Sequence, residues 1–148
     1  MQRHYERLPG FPEGLLTIGD AVCGLNPVYG QGMSTAALQA RALQQVLAER
    51  GAEHGLAKIG ALFFPKVAEI NNGPWTLAAN LDLAYPQTRG ERPPGFRERA
   101  RYMAALDRWQ VDDLELQRLM MAVFHLTQPL SALHEEPLRS RVLARMHS

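Results

Sequence analysis

The residues best suited to chemistry lie in one stretch, Gly19-Asp20-Ala21-Val22-Cys23-Gly24-Leu25-Asn26-Pro27-Val28-Tyr29-Gly30-Gln31-Gly32-Met33. Asp20 offers a carboxylate that can accept hydrogen bonds from the hydroxyls of a sugar or sugar alcohol. Gly30 and Gly32 lack side chains, so a ligand can lie against the backbone there. A long helix is expected to start at the same point. Its first N–H groups have no intrahelical acceptors and stand at the positive end of the helix dipole. A planar ligand that becomes anionic would be stabilised at such a helix start. This is binding chemistry, and no catalytic side chain is expected within it. No metal site is expected either: His4, His54, His125, His134 and His147 are scattered, with no two at ligand spacing inside a carboxylate cluster.

A dinucleotide phosphate loop built on Gly30-x-Gly32 fits poorly. That fingerprint wants Gly or Ala at position 35, which is Thr35, and wants its glycines directly after a strand. Here the segment from Gly19 to Tyr29 intervenes.

The elements that must position these residues follow from breakers and periodicity. Arg3 to Leu8 reads as a short strand ended by Pro9-Gly10, and Leu15-Leu16-Thr17-Ile18 as a buried strand that delivers Asp20 at its carboxyl end. A helix is expected from about Gly30 or Gln31 to Arg50, with Met33, Ala36, Ala37, Ala40, Leu43, Val46 and Leu47 at helical spacing and Gly51 as its C′ residue. A second helical stretch is expected from Leu56 to about Asn80, with Leu56, Ile59, Leu62, Phe63, Val67 and Ile70 on one face. Pro65 and Gly73-Pro74 should kink or interrupt it. An ordered loop from Ala84 to Gly95 precedes helices at about Phe96 to Trp109 and Asp112 to Thr127. Asp112 is the expected N-cap of the latter. A last helix runs from about Pro137 to Met146. The fold class expected is mainly α with one or two short N-terminal β-strands, residues 1–50 forming a strand, Gly-Asp loop and helix, and residues 51–148 a helical region.

Composition narrows the partners. The 16 Lys and Arg nearly balance the 15 Asp and Glu, which gives no electrostatic reason to expect nucleic acid or an anionic membrane. Arg139, Arg141 and Arg145 read as a solvated face of the last helix. Cys23 is the only cysteine, so no internal disulfide can form, and a cytoplasmic location is the default expectation. It reads as a small, partly buried thiol. No run is apolar and long enough to suggest a membrane span. Trp75, Trp109 and the Met120-Met121 pair read first as core.

Gly19-Asp20-Ala21 through Pro27 and Gly30-Gln31-Gly32-Met33 resembles the second FAD motif of the group A flavoprotein monooxygenases, relatives of the p-hydroxybenzoate-type hydroxylases and the squalene-type epoxidases. Pro74-Trp75-Thr76-Leu77-Ala78 with Asp82-Leu83 and Tyr85-Pro86 looks like the helical tail of actinobacterial members. The resemblance implies a C-terminal fragment of a Rossmann-like α/β flavoprotein that binds FAD through Gly19, Asp20, Pro27, Gly30, Gln31, Gly32 and Met33. Asp20 would bond the ribityl chain, Pro27 would lie beside the isoalloxazine, and the N–H groups of Gly32 and Met33 would face its pyrimidine edge. It further implies NAD(P)H as reductant and hydroxylation or epoxidation of a small apolar molecule. Many members carry His in the segment where this chain has Cys23. The family's amino-terminal G-x-G-x-x-G has no counterpart here. The chain is therefore expected to be a fragment, a truncated reading frame or one half of a split enzyme, inactive alone, whose missing half a second chain could supply. A flavin-dependent reductase or dehydrogenase, and a helical interaction module without catalysis, are the alternative readings.

Overall fold

The computed structural model describes residues 1–51 and 55–146, which divide into two compact units, Met1–Ala78 and Ala79–Ser148. The described residues form five α-helices joined by loops and 3₁₀ turns: α1 Gly32–Arg50, α2 Ile59–Leu83, α3 Phe96–Trp109, α4 Leu114–Phe124 and α5 Leu138–Met146.

The expected N-terminal strands, and with them the α/β fold, are overturned: among the described residues there is no strand and no sheet. Tyr5–Arg7 winds into a 3₁₀ turn, with the Leu8 N–H bonded to the Tyr5 carbonyl at 3.2 Å. Ile18 is extended (φ −136°, ψ 171°), but extension without a neighbouring backbone makes no ladder. Leu15 and Ile18 keep 50% and 43% of their surface exposed, whereas a strand of a doubly covered sheet would bury both. A backbone bridge joins Gln2 to Cys23, closed by Arg3 N–H to Val22 O and Gly24 N–H to Met1 O, both at 2.8 Å.

In the first unit α1 buries Thr35, Gln39, Ala42 and Val46. Of the apolar set expected along this helix, only Val46 is fully buried. Met33, Ala37, Ala40 and Leu47 face solvent. The buried stripe runs through two polar side chains because they have partners inside. Gly51 ends α1 at φ 75°, a conformation that favours glycine. Helix α2 is not interrupted at Pro65 or at Gly73-Pro74 and runs on to Leu83. Pro74 is buried at the helical spacing of Asn71 and Ala78, so packing offsets the hydrogen bond its ring removes. Leu56 and Leu62, expected on its apolar face, are exposed at 59% and 47%. The core of this unit joins Val22, Ala42, Phe63, Phe64 and Val67, with Tyr5, Phe11 and Leu16 packed on it. The rings of Phe11 and Phe64 meet edge-on at 4.7 Å. Burying each of these large side chains contributes about 1.5–3 kcal/mol.

In the second unit Arg92 organises the proline-rich loop. Its guanidinium donates to the carbonyls of Leu83, Tyr85 and Gly90 at 3.0–3.1 Å. Helices α3, α4 and α5 close over Tyr102, Leu106, Leu116, Met120, Val123, Leu133 and Val142. The Tyr102 hydroxyl donates to the Leu133 carbonyl at 2.7 Å, so the buried polar end of the ring is satisfied. The N-cap of α4 is Asp113 rather than Asp112: its carboxylate accepts the Leu116 N–H at 3.0 Å. Asp112 instead gives its backbone N–H to Trp109 O at 3.2 Å, which closes the preceding turn. Arg141 and Arg145 stack their guanidinium groups over the Trp109 ring, 4.4 and 3.8 Å from its centroid, and so do more than form a solvated face. His125 is exposed at the end of α4.

Candidate functional site

The local sequence of the first unit makes a tight corner in front of α1. Gly19 adopts φ +63°, which an L side chain resists, and opens the 3₁₀ turn Gly19–Ala21. Its carbonyl accepts the N–H groups of Val22 and Cys23 at 3.0 and 2.9 Å. The chain then folds into a second 3₁₀ turn, Pro27–Tyr29, capped by Asn26, whose side chain accepts the Val28 N–H at 3.2 Å. Gly30 ends that turn at φ +67° and hands the chain to Gln31 and α1.

Two of the expected binding residues are brought face to face. A β-carbon placed on Gly32 would lie 3.9 Å from Asp20 Oδ1. The Asp20 carboxylate is thus set beside the first residue of α1. Gln31, at the N-cap position, makes no side-chain capping bond. Acceptor and donors therefore sit together: a carboxylate from the turn, and the first N–H groups of the helix. Gly30 has nothing within 4 Å of where its β-carbon would stand, so that side of the corner is open.

The other expected residues divide. Pro27 and Met33 are exposed, Met33 by 85%, with Val28 beside Pro27 exposed by 75%. They form an apolar fringe to the polar corner. Gln31 is buried at 2% exposure, its carbonyl accepting both the N–H of Thr35 at 2.9 Å and its hydroxyl at 2.8 Å. Gln31 therefore serves the start of the helix from inside.

Beneath the corner lies a buried polar pair that the periodicity of α1 does not announce. Gln39 Oε1 accepts the Gly19 N–H at 2.7 Å, and Gln39 Nε2 donates to Asn71 Oδ1 on α2, also at 2.7 Å. Gln39 is fully buried and Asn71 nearly so. The available signal was the spacing Thr35, Gln39, Ala42, Val46, which is helical and places a glutamine in mid-stripe. A buried amide at such a place requires partners.

Cys23 is buried behind the same turn. Burial pushes its thiol pKa above the usual range; the nearby terminal ammonium opposes that shift and the Asp20 carboxylate adds to it. It is a packed thiol and not an activated nucleophile. A separate open cleft of about 300 Å³ lies among Tyr5, Phe11, Glu13, Lys58 and Phe64, and none of Gly19 to Met33 lines it. Among the described residues no group of His, Cys, Asp and Glu is placed to hold a metal ion, and no helix is long and apolar enough to cross a membrane. His54 and His147 lie outside the described residues.

No family model matches the chain. It is 44% identical over 92 residues to Protein Rv3254 of Mycobacterium tuberculosis (strain ATCC 25618 / H37Rv), a match that takes in 62% of this chain and 19% of that protein. The chain thus spans about a fifth of the length of the curated relative it matches.

Proposed function

We propose that this chain carries a flavin-facing part of an FAD-dependent monooxygenase, with the Gly19–Met33 corner as its cofactor-binding surface. The observation that carries the reading is the Asp20 carboxylate beside Gly32 at the start of α1. A ribityl hydroxyl needs an acceptor such as Asp20. The carbonyl edge of an isoalloxazine needs donors such as the N–H groups of Gly32 and Met33. The lack of a β-carbon at Gly32 leaves room for that approach, and the exposed Pro27, Val28 and Met33 supply an apolar flank for the ring system. When bound, FAD would supply the redox chemistry, drawing on NAD(P)H and oxygen to hydroxylate or epoxidise a small apolar substrate. The contribution of this chain is positioning: Asp20 orients, the helix start favours negative charge at the ring edge, and the apolar flank keeps water away. A second chain, or further sequence of a longer protein, would hold the rest of the cofactor.

Flavin fluorescence titration of the chain beside its Asp20→Ala variant tests this. Saturable quenching that weakens in the variant supports the reading. Equal quenching in both, or none in either, sinks it.

A second reading has its own support. Leu15, Ile18, Val28 and Met33 are large, apolar and exposed in one unit, as expected of an interaction module whose partner is a protein. Pull-down of a partner by the flavin-free chain, lost on Met33→Glu, would favour it over the flavin reading.

A further inference from the structure

We infer that Gln39 and Asn71 are positioning residues for the Gly19–Asp20 turn, so that α2 controls the ligand-facing carboxylate through a buried amide relay. The inference rests on the reading of that turn as ligand-facing, and it adds two residues, one on a different helix, that touch no ligand themselves.

Within the turn the Gly19 carbonyl takes the N–H groups of Val22 and Cys23, and Arg3 donates to the Ala21 carbonyl at 2.8 Å; the Gly19 N–H is tied to α1 instead. Gly19 sits at positive φ, half-buried, and its N–H donates inward to Gln39 Oε1 at 2.7 Å. Gly19 meets α1 only at ordinary contact, a β-carbon there standing 3.8 Å from the Ala36 methyl. The peptide that follows carries Asp20. A shift of the Gly19 amide therefore swings the carboxylate relative to Gly32. The Gly19 N–H can only donate, so it fixes which end of the Gln39 amide it meets: the acceptor Oε1 faces it. That leaves Gln39 Nε2 to donate to Asn71 Oδ1, which ties the side chain to α2. The relay is neutral throughout, which lets it lie fully buried without the cost of an unpaired charge. An apolar residue at either position would fill the space and abandon the turn.

The experiment combines amide hydrogen exchange by NMR with flavin titration, on the wild-type chain and on Gln39→Leu, Gln39→Glu and Asp20→Asn. Gln39→Leu should keep the helical circular dichroism, raise exchange at the Gly19 amide about tenfold and weaken flavin binding by a similar factor. Gln39→Glu keeps an acceptor for Gly19, and Asn71 can turn its amide to donate, so Gly19 protection should return. Asp20→Asn should weaken flavin binding and leave Gly19 exchange unchanged, which separates contact from positioning. Should Gln39→Leu lose its helix signal, Asn71→Ser, which shortens the relay at its far end, is read in the same way. Unchanged Gly19 exchange in the folded variants overturns the inference whatever the flavin result. Raised exchange with no flavin binding by the wild type overturns the flavin reading alone and leaves the positioning assignment standing.

Discussion

Asp20 Oδ1 lies 3.9 Å from the point where a β-carbon on Gly32 would stand, so the carboxylate and the start of α1 share one small space. That distance is an ordinary contact, and Gly32 is helical, so alanine fits there without strain. Gly32→Ala should raise stability by about 0.5–1 kcal/mol, since alanine loses less backbone entropy in a helix. It should also weaken flavin binding, because the new methyl stands where the ligand must approach. A rise in thermal midpoint with a fall in affinity is expected. A rise in both would mean the ligand does not use this face.

The cap of α4 can be assigned by mutation. Asp113→Ala should cost about 1 kcal/mol in urea unfolding, because it removes the acceptor of the Leu116 N–H. Asp112→Ala should change stability by no more than about 0.5 kcal/mol, since Asp112 closes its turn through the backbone N–H. Equal losses would reject Asp113 as the cap.

Acidification should weaken the second unit through His134. Its ring stacks on Tyr102 at 4.7 Å, and although the residue as a whole is exposed, partial burial of the ring, and then Arg139, holds its pKa below the ordinary histidine value of 6.5. The unfolded chain then takes up the proton more readily than the folded one, so the contribution is complete above 6.5 and is lost as the pH falls through the folded pKa. Urea midpoints measured from pH 7.5 down to about 5 should fall less steeply for His134→Gln than for the wild type.

Leu106 has no exposed surface and lies in the core of the second unit. Leu106→Ala should destabilise by about 2–5 kcal/mol, the loss of transfer energy plus the cavity left behind. Val111→Ala, at a side chain exposed by 77%, should be near neutral. Denaturant unfolding of the two variants side by side measures the contrast.

Cys23 should resist thiol reagents in native buffer, because burial both shields it and keeps it protonated. Reaction with a chromogenic disulfide should speed up sharply in urea. Fast labelling of the native chain would mean the turn in front of α1 opens readily.

Helix existence was legible wherever periodicity and punctuation agreed. Phe96–Trp109 has the expected bounds, Gly51 closes α1 at positive φ, and α5 starts one residue after the expected Pro137. These features are local, set by what a backbone can do at Gly or Pro and by the spacing of apolar residues. The corner from Gly19 to Met33 was legible only as glycine-rich backbone before a helix. The sequence presents Gly30 and Gly32 as room for a ligand, whereas it is Gly19 and Gly30 that stand at positive φ, and among the described residues no strand delivers Asp20.

What failed were the readings that needed to know a neighbour. Leu15-Leu16-Thr17-Ile18 has a strand's composition, yet a strand exists only where another backbone lies alongside, and none of the described residues provides one there. The cap of α4 turned on one residue of register between adjacent aspartates. The buried face of α1 was misjudged because Gln39 looks like surface until Asn71, far along the chain, is placed against it. Local chemistry in the sequence by itself determined the helices, the glycine corner and the carboxylate that stands on it. Tertiary structure alone decided which side of α1 is inside and what holds Gly19, because a buried polar side chain takes its meaning from a partner that only folding brings within 2.7 Å.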